Sequence, residues 1–184
     1  MGFFQIFAGG LLLVFILMTL LWIVSVRLKN ASIVDPFWSI GFVVLAMYYF
    51  WSAGGNEVRK LVVLSLVVVW GVRLFSHLFI RFLRSGEEDY RYRNFRNHYG
   101  PERYWWVSYF QVFMLQGILL WIISMPLLAS MHFKPDKPIG IVDLLAAAAW
   151  LTGFIFEAGG DYQLVRFRSD PANKGKLLTT GLWR

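Results

Sequence analysis

Five long apolar runs divide the chain, and polar residues cluster between them. Phe3 to Val26 carries no charge, and Val107 to Met131 carries none either. Ile33 to Trp51 is interrupted only near its start, by Asp35 and Pro36. Leu61 to Phe82 contains Arg73, His77 and Arg81, and Ile139 to Leu164 contains Asp143, Glu157 and Asp161. Each run approaches the ~20 residues that cross a bilayer as a helix. Lipid offers the backbone no hydrogen bonds, so each run must satisfy its own peptide groups, as a helix does. The pattern predicts an all-α bundle of about five transmembrane spans, one domain covering residues 1–184.

Composition agrees with this pattern. Of 184 residues, 58% are hydrophobic and 18% aromatic, more than a soluble domain of this size carries. The absence of cysteine excludes a disulfide framework and a thiolate metal site. No second histidine stands at metal spacing from His77, so no metal site is assigned. The opening MGFFQIFAGG has neither a basic leader nor a small-residue cleavage site.

The net charge of +7 would suggest nucleic acid in a soluble chain. Here the basic residues sort by loop. One side holds thirteen: Arg27, Lys29, Arg81, Arg84, Arg91, Arg93, Arg96, Arg103, Arg166, Arg168, Lys174, Lys176 and Arg184. The other holds four: Arg59, Lys60, Lys134 and Lys137. The richer side is expected in the cytoplasm, with the amino terminus outside and the carboxy terminus inside. The charge therefore points to a bilayer, not to nucleic acid.

Four polar constellations remain. In the fifth run, Ala149, Gly153, Glu157 and Asp161 recur every four residues, and Arg168 falls near the same face. Small residues at this spacing admit a neighbouring helix or a ligand. Carboxylates at bilayer depth are costly and turn toward a bundle or wet cavity, unless they reach the headgroups and pair with arginines. In the third run, Trp70, Arg73, His77, Arg81 and Arg84 form one stripe. Arg81 and Arg84 can snorkel to the interface. Arg73 lies roughly 12 Å deeper by helical rise and needs an anionic partner, either a carboxylate or a phosphate. RSGEEDYRYRNFRNHYGPERYWW reads either as a solvated loop entering an aromatic belt or as an electropositive cap over a cofactor. Asp35 before Pro36 suits a helix N-cap, with a functional carboxylate as the other reading. Gln111 and Gln116 are expected to bond between helices.

WGVRLFSHLFIRFLRSGEEDYRY, FEAGGDYQLVRFRSDPANKGK and TTGLWR, in that order, resemble the steroid 5-alpha-reductase-like family of membrane proteins, nearest to its bacterial branch. The resemblance runs from about Asp35 to the end. It implies a bundle of about seven spans in a bacterial inner membrane, of which this chain is the amino-terminal part. It also implies NADPH-dependent reduction of a carbon–carbon double bond conjugated to a carbonyl, in a steroid-like or other lipid. It places Glu157 and Asp161 at the adenosine and ribose hydroxyls, Arg168 and Lys176 at the phosphates, and Arg84 and Arg81 among further cofactor contacts, to which the depth of Arg73 adds a candidate phosphate partner. The family polarises the substrate carbonyl with a tyrosine supported by a glutamate, and Trp70 and Asp35 stand at those places. An Arg-His-Pro-Asn-Tyr run that follows GLWR in the family is expected past Arg184. Two other classes fit the pattern less well: a membrane methyltransferase using S-adenosylmethionine, which leaves the arginine stripe unexplained, and a non-catalytic lipid-binding protein.

Overall fold

The computed structural model describes residues 1–133 and 137–184, so Lys134, one of the four basic residues of the poorer side, lies outside the described residues. Among the described residues there is no strand. Five helical stretches are long and apolar enough to cross a membrane: Phe3–Leu28, Ala31–Ser52, Glu57–Ser85, Pro101–His132 and Ile141–Ser169. The chain is an all-helical membrane protein with the number of spans its hydropathy pattern predicts. It falls into two compact units, Met1–Pro138 and Ile139–Arg184.

In the amino-terminal unit, α1 (Phe3–Leu28), α2 (Val34–Ser52) and α3 (Glu57–Ser85) are followed by a short polar helix, α4 (Tyr90–Tyr99). The fourth span is built from α5 (Pro101–Ser108), a π-helical turn (Tyr109–Met114), α6 (Leu115–Ile123) and α7 (Met125–His132). It breaks at Ser124 because Pro126 has no N–H to return to the preceding turn. The centre of the unit is α2, which packs against α1, α3, α6 and α7.

Small residues set the helix spacing. Tyr49 packs its hydroxyl against Gly10, where an added Cβ would lie 2.9 Å away. A Cβ at Gly71 would meet Val43 at 2.5 Å and the Ser39 carbonyl at 3.2 Å. Lipid gives apolar helices little reason to associate, so close van der Waals approach and interhelical hydrogen bonds hold the bundle. The bonds are present. Ser39 Oγ donates to the Gly71 carbonyl (3.1 Å), Trp121 Nε1 to the Phe7 carbonyl (2.8 Å) and Trp22 Nε1 to the Trp105 carbonyl (2.8 Å). Tyr49 and Ser124 share a hydrogen bond of 2.8 Å in the core.

Helix ends are also satisfied from within. Lys60, only 4% exposed, reaches from α3 to the carbonyls of Phe50 (3.1 Å) and Ala53 (3.0 Å) at the end of α2. Its charge is balanced by Glu57 at 2.7 Å. Gly86 ends α3 at φ +64, a left-handed conformation that glycine adopts without steric cost.

The carboxy-terminal unit is one long helix and its return. Gly140 N donates to Asp143 Oδ2 (2.9 Å) at the start of α8 (Ile141–Ser169). Asn173 Nδ2 donates to the Phe167 carbonyl (3.0 Å) near its end. Gly181–Trp183 then forms a short turn against the helix.

Candidate functional site

The amino-terminal unit gathers its charge where α4 meets the ends of α1, α2 and α3. Asp35 lies in the first turn of α2, and its carboxylate does not cap the helix. Asn30 takes the capping role one turn earlier, accepting from Ser32 N at 2.9 Å. Asp35 instead accepts from the Tyr92 hydroxyl (2.6 Å) and from Arg91 Nη2 (2.7 Å). Gln116, on the fourth span, donates to the same hydroxyl at 3.2 Å. Tyr92 is buried, donates to one helix and accepts from another, so the trio is a tie between α4, α2 and α6. Gln116 thus bonds between helices as expected. The Oε1 of Gln111, within the π-helical turn, is buried without a partner among the described residues.

A second knot lies beside the first. Arg96 makes a fork with Glu88, Nε to Oε2 and Nη2 to Oε1, both at 2.8 Å. Glu88 also accepts from Ala31 N (2.8 Å), and Arg96 donates to the Lys29 carbonyl (3.1 Å). Arg93 pairs with Glu87 at 2.9 Å, and Arg91 with Asp89 at 2.9 Å. Tyr90–Tyr99 within this segment is a helix and not a loop, and Arg91, Arg93 and Arg96 are matched by carboxylates. Hydrogen bonding from Arg91 holds the Asp89 carboxyl below its usual range. Burial, reinforced by the Asp35 charge, pushes the Tyr92 phenol up, so it stays protonated.

These knots leave a cavity of about 240 Å³ bordered by Ser32, Asp35, Leu78, Arg81, Phe82 and Asp89. Arg81 is 3.7 Å from Asp89, so its charge is partly matched. Arg84 is exposed in the last turn of α3, and Arg73 and His77 are half-buried on the same helix, each engaged with a neighbour. Asp35 and Trp70 are not brought together. Asp35 faces the Leu78 to Phe82 turn of α3, whereas Trp70 packs edge-on to Phe42 at 5.7 Å. Phe42 is seven residues past Asp35, about 10 Å along α2.

In the carboxy-terminal unit, α8 is unbroken from Ala149 through Arg168, so the predicted face is real helix geometry. Glu157 and Asp161 are half-buried and engaged, and Arg168 is exposed. Within this unit the close approach is at the Gly159–Gly160 pair. Nothing lies within 4 Å of a Cβ placed on Gly153. At Gly159 a Cβ would meet Leu182 at 2.8 Å, and at Gly160 the Trp183 indole at 3.6 Å. Trp183 Nε1 donates to the Gly160 carbonyl and Leu182 N to Gln163 Oε1, both at 2.9 Å. Gly181, at φ +63, sits so close to Gln163 that a side chain has no room. The GG pair and the GLW turn, far apart in sequence, are thus two halves of one contact. Lys176 follows the turn after α8 and is exposed.

Among the described residues, no group of histidine, aspartate and glutamate has the arrangement to hold a metal ion. Residues 21–184 match the protein family described as protein of unknown function, DUF1295. A relative in the fission yeast Schizosaccharomyces pombe, an uncharacterized protein, is 30% identical over 161 residues. That alignment takes in 85% of this chain and 47% of the relative, so the chain spans about half the relative's length. No solved structure matches.

Proposed function

Starting from a chain that belongs to the DUF1295 family, we propose that it is a membrane-embedded, NADPH-dependent reductase of a carbon–carbon double bond conjugated to a carbonyl, in a steroid-like or other lipid. One observation carries the reading: the Gly181–Trp183 turn lies on α8 at Gly159 and Gly160, the glycine pair that Glu157 and Asp161 flank in the sequence, so two of the three motifs meet within one unit. The family match covers all three sequence motifs from which the reading came.

The residues fit a dinucleotide. Ribose hydroxyls need acceptors, and the carboxylates of Glu157 and Asp161 are acceptors only. An indole offers a face on which a purine stacks, worth ~1–3 kcal/mol per base. Arg168 lies about 10 Å farther along α8 than Asp161, and Lys176 follows beyond the turn. Their charges suit phosphates, Arg168 as a fork and Lys176 as a point charge. When bound, the cofactor supplies a hydride to the alkene carbon β to the carbonyl, and a proton at the α carbon completes the saturated product. The chain's share is to bind the nucleotide, orient it and keep water from the reacting carbons, with a lipid substrate arriving through the bilayer. The resemblance gives the substrate-carbonyl places to Trp70 and Asp35, and Asp35 in addition holds Tyr92 and Arg91.

The test uses the protein as its gene encodes it, purified in nanodiscs and titrated with NADPH by fluorescence. Saturable binding is expected, with NADPH oxidised when a lipid enone is added. Glu157→Gln with Asp161→Asn removes two charged acceptors, at ~1 kcal/mol or more each, and weakens binding about 30-fold. No NADPH binding would sink the proposal. Preferential binding of S-adenosylmethionine would replace it with methyl transfer, and an unaffected double variant that binds neither cofactor would favour a lipid-binding role.

A further inference from the structure

A second cavity, of about 400 Å³, opens where α1 ends and the fourth span begins. It is lined by residues of the amino-terminal unit alone and does not rest on the reductase reading. Its wall includes Val26, Lys29, Arg96, Glu102, Tyr104 and Trp105. Tyr104 is 1% exposed, yet its hydroxyl has no hydrogen-bond partner among the described residues. A buried hydroxyl without a partner is a standing cost that a ligand oxygen relieves. The Arg96 guanidinium lies over the Tyr104 ring, 4.6 Å from its centre, and its fork to Glu88 fixes it there.

The surroundings say what kind of ligand fits. Two Trp rings, Trp22 and Trp105, stack 6.2 Å apart at this end of the spans, and Trp105 and Trp106 are about half exposed. Such aromatics mark the headgroup level of a bilayer. Pro101 opens α5 without an N–H, so Glu102 carries the helix's first amide donor. Lys29 stands on the wall at φ 52, a left-handed backbone that a non-glycine residue rarely adopts. The wall therefore offers donors for an anion (Tyr104 hydroxyl, Lys29 ammonium, a helix amino terminus) and, at Glu102, an acceptor for a cation.

We infer that this cavity binds the headgroup of a zwitterionic phospholipid bearing a primary ammonium. Its phosphate accepts from Tyr104 and Lys29, and its ammonium donates to Glu102. The acyl chains leave past Val26 and Trp105 into the bilayer.

The test is native mass spectrometry of the detergent-solubilised protein. It is titrated separately with short-chain phosphatidylethanolamine, phosphatidylglycerol and phosphatidylcholine, with glycerophosphoethanolamine and with inorganic phosphate. Phosphatidylethanolamine is expected to bind most tightly. Tyr104→Phe should weaken it about fivefold without lowering the unfolding midpoint of the lipid-free protein, because the hydroxyl has no protein partner to lose. Glu102→Gln should weaken phosphatidylethanolamine about fivefold and leave phosphatidylglycerol unaffected. Binding blind to headgroup, or unmoved by Tyr104→Phe, would overturn the inference. Inorganic phosphate binding as tightly as the lipid, with the same dependence on Tyr104, would overturn the lipid assignment in favour of free phosphate.

Discussion

The two units use charge differently. In the amino-terminal unit the ionisable residues around α4 are consumed by one another: Asp35 by Tyr92 and Arg91, Glu88 by Arg96, Glu87 by Arg93. The most apolar stretch of Ala31–Ser52 is 56% buried, so these ties brace a packed bundle. In the carboxy-terminal unit the corresponding stretch of α8 is unburied, and Gly160 is the helix's one fully buried residue. Its carboxylates flank a glycine pair that receives an aromatic turn. One region orders helices with charge. The other places Glu157 and Asp161 in the middle of a single helix whose start is capped by a different carboxylate, Asp143. The same residue types thus carry architecture in one place and a candidate ligand site in the other.

Substitutions can break this contrast. The largest expected effect is at the Glu88–Arg96 fork. Glu88 is the more buried member, with its side chain 9% exposed against 26% for Arg96. Glu88→Ala leaves a guanidinium without its partner and should cost about 3 kcal/mol of unfolding free energy in detergent. Gly71→Ala drives a methyl into Val43 and the Ser39 carbonyl and should cost about 2 kcal/mol, read by the same unfolding assay. Asp35→Asn loses the charged half of the tie to Arg91 and Tyr92 and should cost about 1–2 kcal/mol. A loss under about 0.5 kcal/mol at all three sites would remove the architectural role from this unit.

Acidity gives a gentler probe of the same unit. Asp89 has a folded pKa held below its unfolded value, so its contribution is present above the unfolded value of about 4 and is lost as pH falls through the folded one. Tyr92 has its folded pKa raised, so the unfolded chain loses that proton first. Stability should decline as pH climbs above the unfolded tyrosine value of about 10. Between these limits the two groups leave unfolding free energy flat with pH, and a pH titration of the unfolding midpoint checks it. Asp89→Asn should flatten the acid limb.

The spans were legible because lipid imposes one rule on every backbone group, and hydropathy records where that rule applies. The structure extends the runs by a few residues, as at Glu57–Ser85 and Pro101–His132, where polar residues continue a helix past the apolar stretch. The charged knots were not legible. GEEDYRYRNFR alternates acid and base in a way that suits a solvated loop, and only the third dimension shows Asp35 and Ala31 supplying the partners. Asp35 before Pro36 looked like a cap because local chemistry favours it. A tertiary pair with Tyr92 and Arg91 won, and Asn30 took the cap. On α8, four-residue spacing located Glu157 and Asp161 on one face, but it could not show that Gly159 and Gly160, not Gly153, receive the returning chain. That contact joins residues 19 and 23 positions apart, beyond the reach of any helical period.

The smallest expected change in stability, and the most direct test, belongs to α8. The unfolding midpoint of the gene-encoded protein is measured with and without NADPH, for the parent and for Glu157→Gln with Asp161→Asn. The account predicts lipid-embedded proteins whose stabilities differ by no more than about 1 kcal/mol without cofactor, since partly exposed charges contribute little. It also predicts that NADPH, added at a few times the parent's dissociation constant, raises the midpoint of the parent well above that of the double variant, because a ligand stabilises the state it binds in proportion to its affinity. A double variant as unstable as Glu88→Ala, with NADPH raising neither protein, would contradict it.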